Sequence, residues 1–313
     1  MTVAPPRMVS VLTENWTMTD PRDIRGIVRM AQEAEDAGFD MVMVSDHVLL
    51  GPSAGSQGRM ANPRDYAMPG NQDPFTAWPS NLVLLSAIAA ATSRIRVGAI
   101  ALIAPLRHPL TLAHDLATLD LLSEGRLVIQ PTVSWHRDEY DALGVPFTAR
   151  GRILDEQLEI WARVFAESPA SHHGEFFSFD DVYLEPKPWR PQGPRMWFGG
   201  DRVHGKVLER LARYGSGFHP LGRVTEDDVE ALRIGLAEHG GSLDGLELVG
   251  GTRARFPDDA SVAALPEALD EIPRQMALGF TTFVIKPSIF IDDRADHVRF
   301  CREVIARVDD LTG

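Results

Sequence analysis

The chain contains a single cysteine, Cys301, among its 313 residues. One cysteine cannot form a disulfide within the chain, and its helical spacing with Val298, Ile305 and Val308 indicates a core residue rather than a nucleophile. No apolar run approaches the roughly 18 residues that a membrane-spanning helix requires. The N-terminal sequence MTVAPPRMVS also lacks the charged and apolar segments of a secretory signal. We therefore expect a cytoplasmic protein.

Basic residues are scarce as well. The chain has 31 Lys and Arg against 44 Asp and Glu, and its formal net charge is −13. No basic run offsets the repulsion that this charge creates, so nucleic acid and anionic membrane are not expected as partners. The GxSxG and Walker motifs of hydrolases and nucleotide triphosphatases are also missing. We predict no metal site, because the adjacent pair His172-His173 cannot present two ligands as an i, i+4 pair would.

The order of the predicted elements favours a barrel. Apolar runs of strand length alternate with helical patterns, and residues 109–122 carry leucines at i, i+4 and i+7 between two such runs. The predicted strands cover residues 8–13, 39–45, 95–103, 126–130, 195–198, 217–220, 246–255 and 281–285. Eight alternations predict an α/β fold, a single (β/α)8 TIM barrel over residues 1–313. No glycine fingerprint follows the first strand, so a Rossmann fold is not favoured.

Two insertions interrupt this rhythm, one after strand 2 and one between strands 4 and 5. Residues 51–78 contain four glycines and four prolines and are too long for a simple connection. We expect this segment, called the lid below, to cover the end of the barrel. Residues 168–194 carry an aromatic run and a proline cluster, which predict a short hairpin.

Local helix signals give some of the boundaries. Asp20 and Pro21 predict the N-cap and first position of the first helix, and Gly38 predicts its end. Gly125 is expected to close the helix before strand 4 in a left-handed conformation.

Several polar and aromatic residues come directly after predicted strands, where barrel enzymes hold their chemistry. Asp46 and His47 follow strand 2, and Glu14 follows strand 1. Position alone leaves each open between a functional role and a structural hydrogen bond. Trp135 follows strand 4 and fits equally a pocket wall or an aromatic cap on the rim. The Gly199-Gly200 pair fits either an anion site or a simple turn. Three cations also lie near strand ends, and pairing with carboxylates is favoured over substrate binding for Arg253, Arg255 and Lys286.

Several motifs together resemble one family. LDLLSEGR, followed by SWHRDEYDALGVPFTAR, is similar to the luciferase-like flavin-dependent oxidoreductases, and most similar to the branch that uses the deazaflavin coenzyme F420. The resemblance extends from SDHV at 45–48 to WFGGD at 197–201. It implies a TIM barrel, a small-molecule substrate and a homodimer formed through outer helices.

The resemblance also implies site residues. His47 and Glu14 would be catalytic, with His47 exchanging a proton with the substrate or stabilising an anionic deazaflavin. The Gly199-Gly200 pair would hold the coenzyme phosphate. The full set of residues that would bind the cofactor is Asp46, Ala101, Thr132, Trp135, Gly199 and Gly200.

One stretch departs from the family pattern. Where the family carries glycines in strand 4, this chain has Gln130, Pro131 and Thr132, which add side chains and remove one backbone donor. We expect the deazaflavin ring of the coenzyme to shift toward strands 2 and 3, which would alter the range of substrates. The leading hypothesis is hydride transfer between F420 and a small organic substrate. The alternatives are an FMN-dependent monooxygenase supplied by a separate reductase, and a barrel that binds flavin without turnover.

Overall fold

The fold is a closed barrel of eight parallel strands with a two-stranded hairpin on its outside. The computed structural model describes residues 5–200, 203–220 and 225–312. Its strands are β1 (Arg7–Val11), β2 (Met41–Val44), β3 (Arg96–Ile103), β4 (Leu127–Thr132), β5 (Ala170–His173), β6 (Ser178–Val182), β7 (Arg195–Phe198), β8 (Gly217–Phe218), β9 (Glu247–Gly251) and β10 (Thr282–Ile285). Around the barrel the order is β1-β2-β3-β4-β7-β8-β9-β10, and β10 pairs with β1. The predicted TIM barrel is confirmed.

Helices connect the strands on the outside of the barrel. They are α1 (Ile24–Ala37), α2 (Asn81–Ala91), α3 (Pro109–Leu122), α4 (Arg137–Ala142), α5 (Arg150–Ala166), α6 (Gly205–Tyr214), α7 (Glu226–Glu238), α8 (Leu265–Leu269), α9 (Ile272–Ala277) and α10 (His297–Thr312). In the described part of the chain, no helix is both long and apolar enough to cross a membrane.

The alternation of side chains along each strand produces two separate apolar regions. One lies inside the barrel, and it includes Met41, Val128 and Trp197 from three different strands. The larger one lies between the strands and the helices. Cys301 is fully buried in this outer region, which confirms its prediction as a core residue.

The predicted start of the first helix is wrong. α1 begins at Ile24, and its N-cap is Asp23, whose carboxylate accepts a hydrogen bond from Gly26 N at 2.8 Å. Asp20 instead binds the backbone and guanidinium of Arg22, a local hydrogen bond that competes with helix capping. The end of the helix is as predicted, because Gly38 is left-handed with φ of 101°.

Both insertions have defined structure. The second contains the predicted hairpin, in which β5 and β6 pair antiparallel. The lid lies over the C-terminal ends of the barrel strands, which we call the mouth. Two backbone groups of the lid fix its first part, since Gly51 N donates to His136 Nε2 and Ser53 N donates to Asp138 Oδ2.

Candidate active site

The mouth of the barrel gathers the residues that the sequence analysis selected. Each of them lies near the end of a barrel strand or in the loop that follows it, as the parallel strand order requires. They are Glu14 after β1, Asp46 and His47 after β2, Ala101 in β3, Thr132 in β4, Trp135 after β4, and Gly199 and Gly200 after β7.

His47 is held by a carboxylate that sequence reasoning missed. Its Nδ1 lies 3.2 Å from Oε2 of Glu139, a fully buried residue on α4. The other oxygen, Oε1, accepts hydrogen bonds from Val48 N at 2.8 Å and Leu49 N at 3.3 Å. With Nδ1–H donating to Glu139, Nε2 of His47 is the acceptor of the neutral ring, and no described residue hydrogen-bonds to it. A base oriented by a third group is the arrangement that proton transfer requires.

The neighbouring histidine has a structural role. Nε2 of His136 accepts a hydrogen bond from Gly51 N at 2.8 Å, so this nitrogen carries no proton. Burial lowers the pKa of His136, which agrees with a neutral ring. His136 therefore ties the lid to the loop after β4.

Aromatic rings surround His47. Its ring centroid lies 4.9 Å from that of Trp78 and 6.1 Å from that of Trp135. Trp16 contacts Trp78 edge-on, at 5.5 Å between ring centroids. The indole nitrogen of Trp78 is buried and makes no hydrogen bond. These rings line one side of the mouth with flat, largely apolar surfaces.

Asp46 lies behind this wall in a buried ion pair. Arg107 donates to both of its oxygens, at 2.7 and 2.9 Å, and Ile103 N donates to Oδ2 at 2.9 Å. The Asp46 side chain is only 1% exposed. The carboxylate thus joins the end of β2 to β3 at the residue directly before His47.

β3 contains a bulge near its C-terminal end. The pairing with β4 skips one residue, because Ile100 pairs with Gln130 and Leu102 pairs with Pro131. The skipped residue, Ala101, is half-buried and joined to Ile100 by a cis peptide bond. Ala101 thus lies unpaired near the C-terminal end of β3 and carries only a methyl side chain.

The non-glycine stretch of β4 fills the barrel interior. The Gln130 side chain is buried, and its Oε1 lies 2.8 Å from Nδ1 of His219, the residue after β8. Burial lowers the pKa of His219 to about 4, so the ring is neutral and its Nδ1–H donates to the amide oxygen. Thr132, two residues further, is half-buried and pairs with Ile103 of β3.

The two glycines after β7 meet different surroundings. A Cβ on Gly199 would stand 1.8 Å from the backbone oxygen of His219, so this position tolerates only glycine without a shift. A Cβ on Gly200 would have no heavy atom within 4 Å. The next residue of the predicted motif, Asp201, lies outside the described residues, and α6 begins at Gly205 rather than directly after the glycines.

This contrast gives a matched pair of variants. We expect Gly199→Ala to lower the free energy of unfolding by about 1–3 kcal/mol, because β7 and β8 must separate to admit the methyl group. Gly200→Ala should change it by less than about 0.5 kcal/mol. Urea unfolding of both variants measures the difference, and equal losses would contradict the close approach of the two strands.

Lys286, at the end of β10, is fully buried at the mouth. Its Nζ donates to the backbone oxygen of Asp65 at 2.6 Å and lies 5.5 Å from the ring of Trp16 and 5.3 Å from the ring of Tyr66. Burial lowers the pKa of Lys286 to about 8, and nearby Glu14 and Asp65 offset part of this change. The sequence pattern favoured carboxylate pairing for this lysine, but its contacts are with Asp65 and Tyr66 of the lid and with Trp16 after β1.

The lowered pKa of Lys286 predicts a pH-dependent stability. The folded state loses this proton near pH 8 and the unfolded chain near 10.5, so stability rises with pH between these values. Relative to wild type, Lys286→Met should be more stable at pH 7 by roughly 2–4 kcal/mol, at 1.36 kcal/mol per pKa unit. This advantage should shrink toward pH 10.5. Urea unfolding at several pH values measures it, and a difference that is independent of pH would contradict the assignment.

The residues at the mouth that the sequence patterns did not reveal include Trp78, Arg107, Glu139, His219 and the lid residue Tyr66. Glu139 follows His136 by three residues at the start of a short helix, which was the available signal. Among residues 5–200, 203–220 and 225–312, no group of three His, Cys, Asp or Glu side chains could hold a metal ion.

Comparison with known proteins identifies the family. The model of the luciferase-like monooxygenases matches residues 7–300. A Mycobacterium tuberculosis protein described as uncharacterized is 35% identical over 165 residues, which are 52% of this chain and 57% of that protein. The FMNH2-dependent dimethylsulfone monooxygenase of Pseudomonas putida is 26% identical over 175 residues, covering 55% of this chain and 42% of that protein. The match thus spans about half the length of each of these two relatives.

A solved structure shows the same fold at low identity. The coenzyme F420-dependent tetrahydromethanopterin reductase of Methanopyrus kandleri matches with a TM-score of 0.69 at 16% identity, covering 98% of this chain and 100% of that one. At this identity the likeness concerns the fold alone. Together with the match of the family model over residues 7–300, it leads to one conclusion. The chain belongs to the luciferase-like monooxygenase family.

Proposed function

We propose that this protein is an oxidoreductase that transfers a hydride between coenzyme F420 and a small organic substrate at the barrel mouth. The observation that carries the proposal is His47, whose ring is fixed by Glu139 at 3.2 Å and leaves Nε2 without a partner among the described residues. Hydride transfer to or from a carbon that bears oxygen requires a matching proton transfer at that oxygen.

The chain's own residues supply this proton transfer. His47 Nε2 takes the hydroxyl proton when an alcohol is oxidised, and the protonated ring returns it when a carbonyl compound is reduced. Glu139 stabilises the charged ring and is itself held by two backbone N–H groups. Trp78 and Trp135 exclude water, so the proton passes between substrate and imidazole.

The mouth has features that fit a deazaflavin. Ala101 and Trp135 offer a small and a flat surface, and Gly200 has open space where a phosphate could approach the backbone. Asp46 would act on the coenzyme through His47 and β3, because its oxygens are engaged by Arg107 and Ile103. When bound, the coenzyme supplies or accepts the hydride.

A second candidate is an FMN-dependent monooxygenase that receives reduced flavin from a separate reductase. The match to the P. putida FMNH2-dependent enzyme, which is 26% identical over 175 residues, favours it. Fluorescence titration of the purified protein with F420 and with FMN separates the candidates. Micromolar binding of F420 without FMN binding is expected; the reverse would favour the monooxygenase. Binding of neither would leave a barrel without a flavin function.

We further propose that the protein forms a homodimer through outer helices. α2 has the sequence NLVLLSAIAAA without a charged residue, and Val83 on its outer face is 71% exposed. A helix that is apolar on all sides is stable when its outer face is also covered. Light scattering should give twice the mass of one 34.5 kDa chain at micromolar concentration, and a mass near one chain would refute the dimer.

A further inference from the structure

Two charged groups at the mouth hold opposite ends of one short lid segment, residues 65–67. Lys286 Nζ donates to the backbone oxygen of Asp65 at 2.6 Å, and Ala67 N donates to Glu14 Oε2 at 3.1 Å. Tyr66 lies between these two bonds and packs against the apolar cluster inside the barrel. The segment therefore presents an oxygen acceptor, an aromatic ring and an N–H donor to the mouth.

Lys286 is poorly compensated in this arrangement. The residue is fully buried, its Nζ hydrogen-bonds to a neutral carbonyl oxygen, and its nearest aromatic faces are those of Trp16 and Tyr66. Among the described residues, no carboxylate lies within ion-pair distance of it. A buried ammonium group without such a partner is costly. Its position at a strand end of the mouth favours a role in ligand binding.

Glu14 complements the lysine. Ser45 Oγ donates to its Oε1 at 2.7 Å, which fixes the carboxylate, while Oε2 accepts the single bond from the lid. Glu14 itself has a left-handed backbone with φ of 65°, which is uncommon for a residue with a side chain. Such a conformation is retained where the surroundings determine it, and binding sites are frequent examples.

We infer that Lys286 and Glu14 form a substrate-binding subsite and that lid residues 65–67 fill it in place of the ligand. The ligand is a small molecule with an aromatic or apolar body, a carbonyl or carboxylate oxygen for Lys286, and an N–H or O–H donor for Glu14. This inference rests on the proposed function, because it names the class of substrate that would bind at the same mouth. The ligand and the lid segment compete for the same two groups.

The lid is also held to the barrel by bonds that lie outside the subsite. Asn62 Nδ2 donates to the backbone oxygens of Asp258 and Ser261, at 3.1 and 2.9 Å. Arg64 forms a two-point ion pair with Asp292, at 2.6 and 2.9 Å. None of these bonds involves Lys286 or Glu14. Weakening them should release the segment and leave the subsite unchanged.

Benzamide is a suitable probe, since it joins an aromatic ring to a carbonyl oxygen and an N–H group. Its dissociation constant is measured by tryptophan fluorescence on the full chain without coenzyme, and N,N-dimethylbenzamide serves as the probe without the N–H donor. Asn62→Ala/Arg64→Gln should bind benzamide about tenfold more tightly than wild type, because less binding energy is used to displace the lid. Arg59→Gln is the matched control, as this lid arginine pairs with Asp73 inside the lid.

Two further variants in the Asn62→Ala/Arg64→Gln background locate the subsite. Lys286→Met should weaken benzamide binding at least tenfold, and Glu14→Ala should abolish the preference for benzamide over N,N-dimethylbenzamide. Unchanged benzamide affinity in the lid variant, or in Lys286→Met, would overturn the inference. The result is independent of the F420 and FMN titrations, so failure of either proposal is recognised separately.

Discussion

The His47→Ala variant is expected to lose turnover by roughly 10²- to 10⁴-fold, the usual contribution of a positioned acid or base. Its affinity for the coenzyme should remain nearly intact, because the Trp78 and Trp135 walls and Gly200 are unchanged. Steady-state rates with the native substrate, together with coenzyme titration, measure both quantities. A full rate in the variant would return His47 to a structural role.

Two companion variants make this test specific. Glu139→Gln removes the carboxylate that orients His47 and should lower kcat and alter its pH profile while the KM for substrate stays similar. A purely structural Glu139 would lower stability without moving the pH profile. His114→Ala, on the exposed face of α3, should change neither the rate nor the profile.

The Arg107→Leu variant is expected to be the least stable of the single substitutions discussed. It leaves the Asp46 carboxylate, which is 1% exposed, with Ile103 N as its one remaining donor among the described residues. Breaking a buried pair by removing one partner costs about 3–5 kcal/mol. Urea unfolding measures this loss.

A surface pair and a double variant serve as controls. Arg22→Leu removes an arginine that also binds an aspartate through two nitrogens, but Arg22 is 82% exposed, so the loss of stability should be much smaller than for Arg107→Leu. Asp46→Leu/Arg107→Leu should recover much of the lost stability, because no charge remains buried without a partner. Equal losses for Arg107→Leu and Arg22→Leu would show that the Asp46 pair does not support the fold.

The barrel and the position of its mouth could be predicted from the sequence because both depend on short-range patterns. Apolar runs gave the strands to within a few residues, and β7 coincides with its predicted range. Gly38 ends α1 as predicted, and Gly125 is left-handed as predicted, with φ of 76°. Glu14 and His47 come to the mouth because parallel strands place their C-terminal ends on one side.

The partners of these residues could not be predicted in the same way. Glu139 lies 92 positions from His47, and Lys286 lies 221 positions from its lid contact Asp65. Such pairs are set by how the loops fold over the barrel, which no local pattern encodes. The wrong N-cap at Asp20 has a local cause, because Asp20 and Asp23 are both good caps and the choice depends on Arg22 binding Asp20.

The requirement for oxygen tests the proposed hydride transfer most directly. The measurement follows F420 absorbance when the protein is mixed with oxidised F420 and small alcohols, or with reduced F420 and small carbonyl compounds, each with and without oxygen. Parallel mixtures contain reduced FMN in place of F420. Hydride transfer consumes no oxygen, so at least one compound should be converted at the same rate under both conditions. Turnover only with reduced FMN and oxygen, with one oxygen molecule consumed per product, would contradict hydride transfer and establish the monooxygenase.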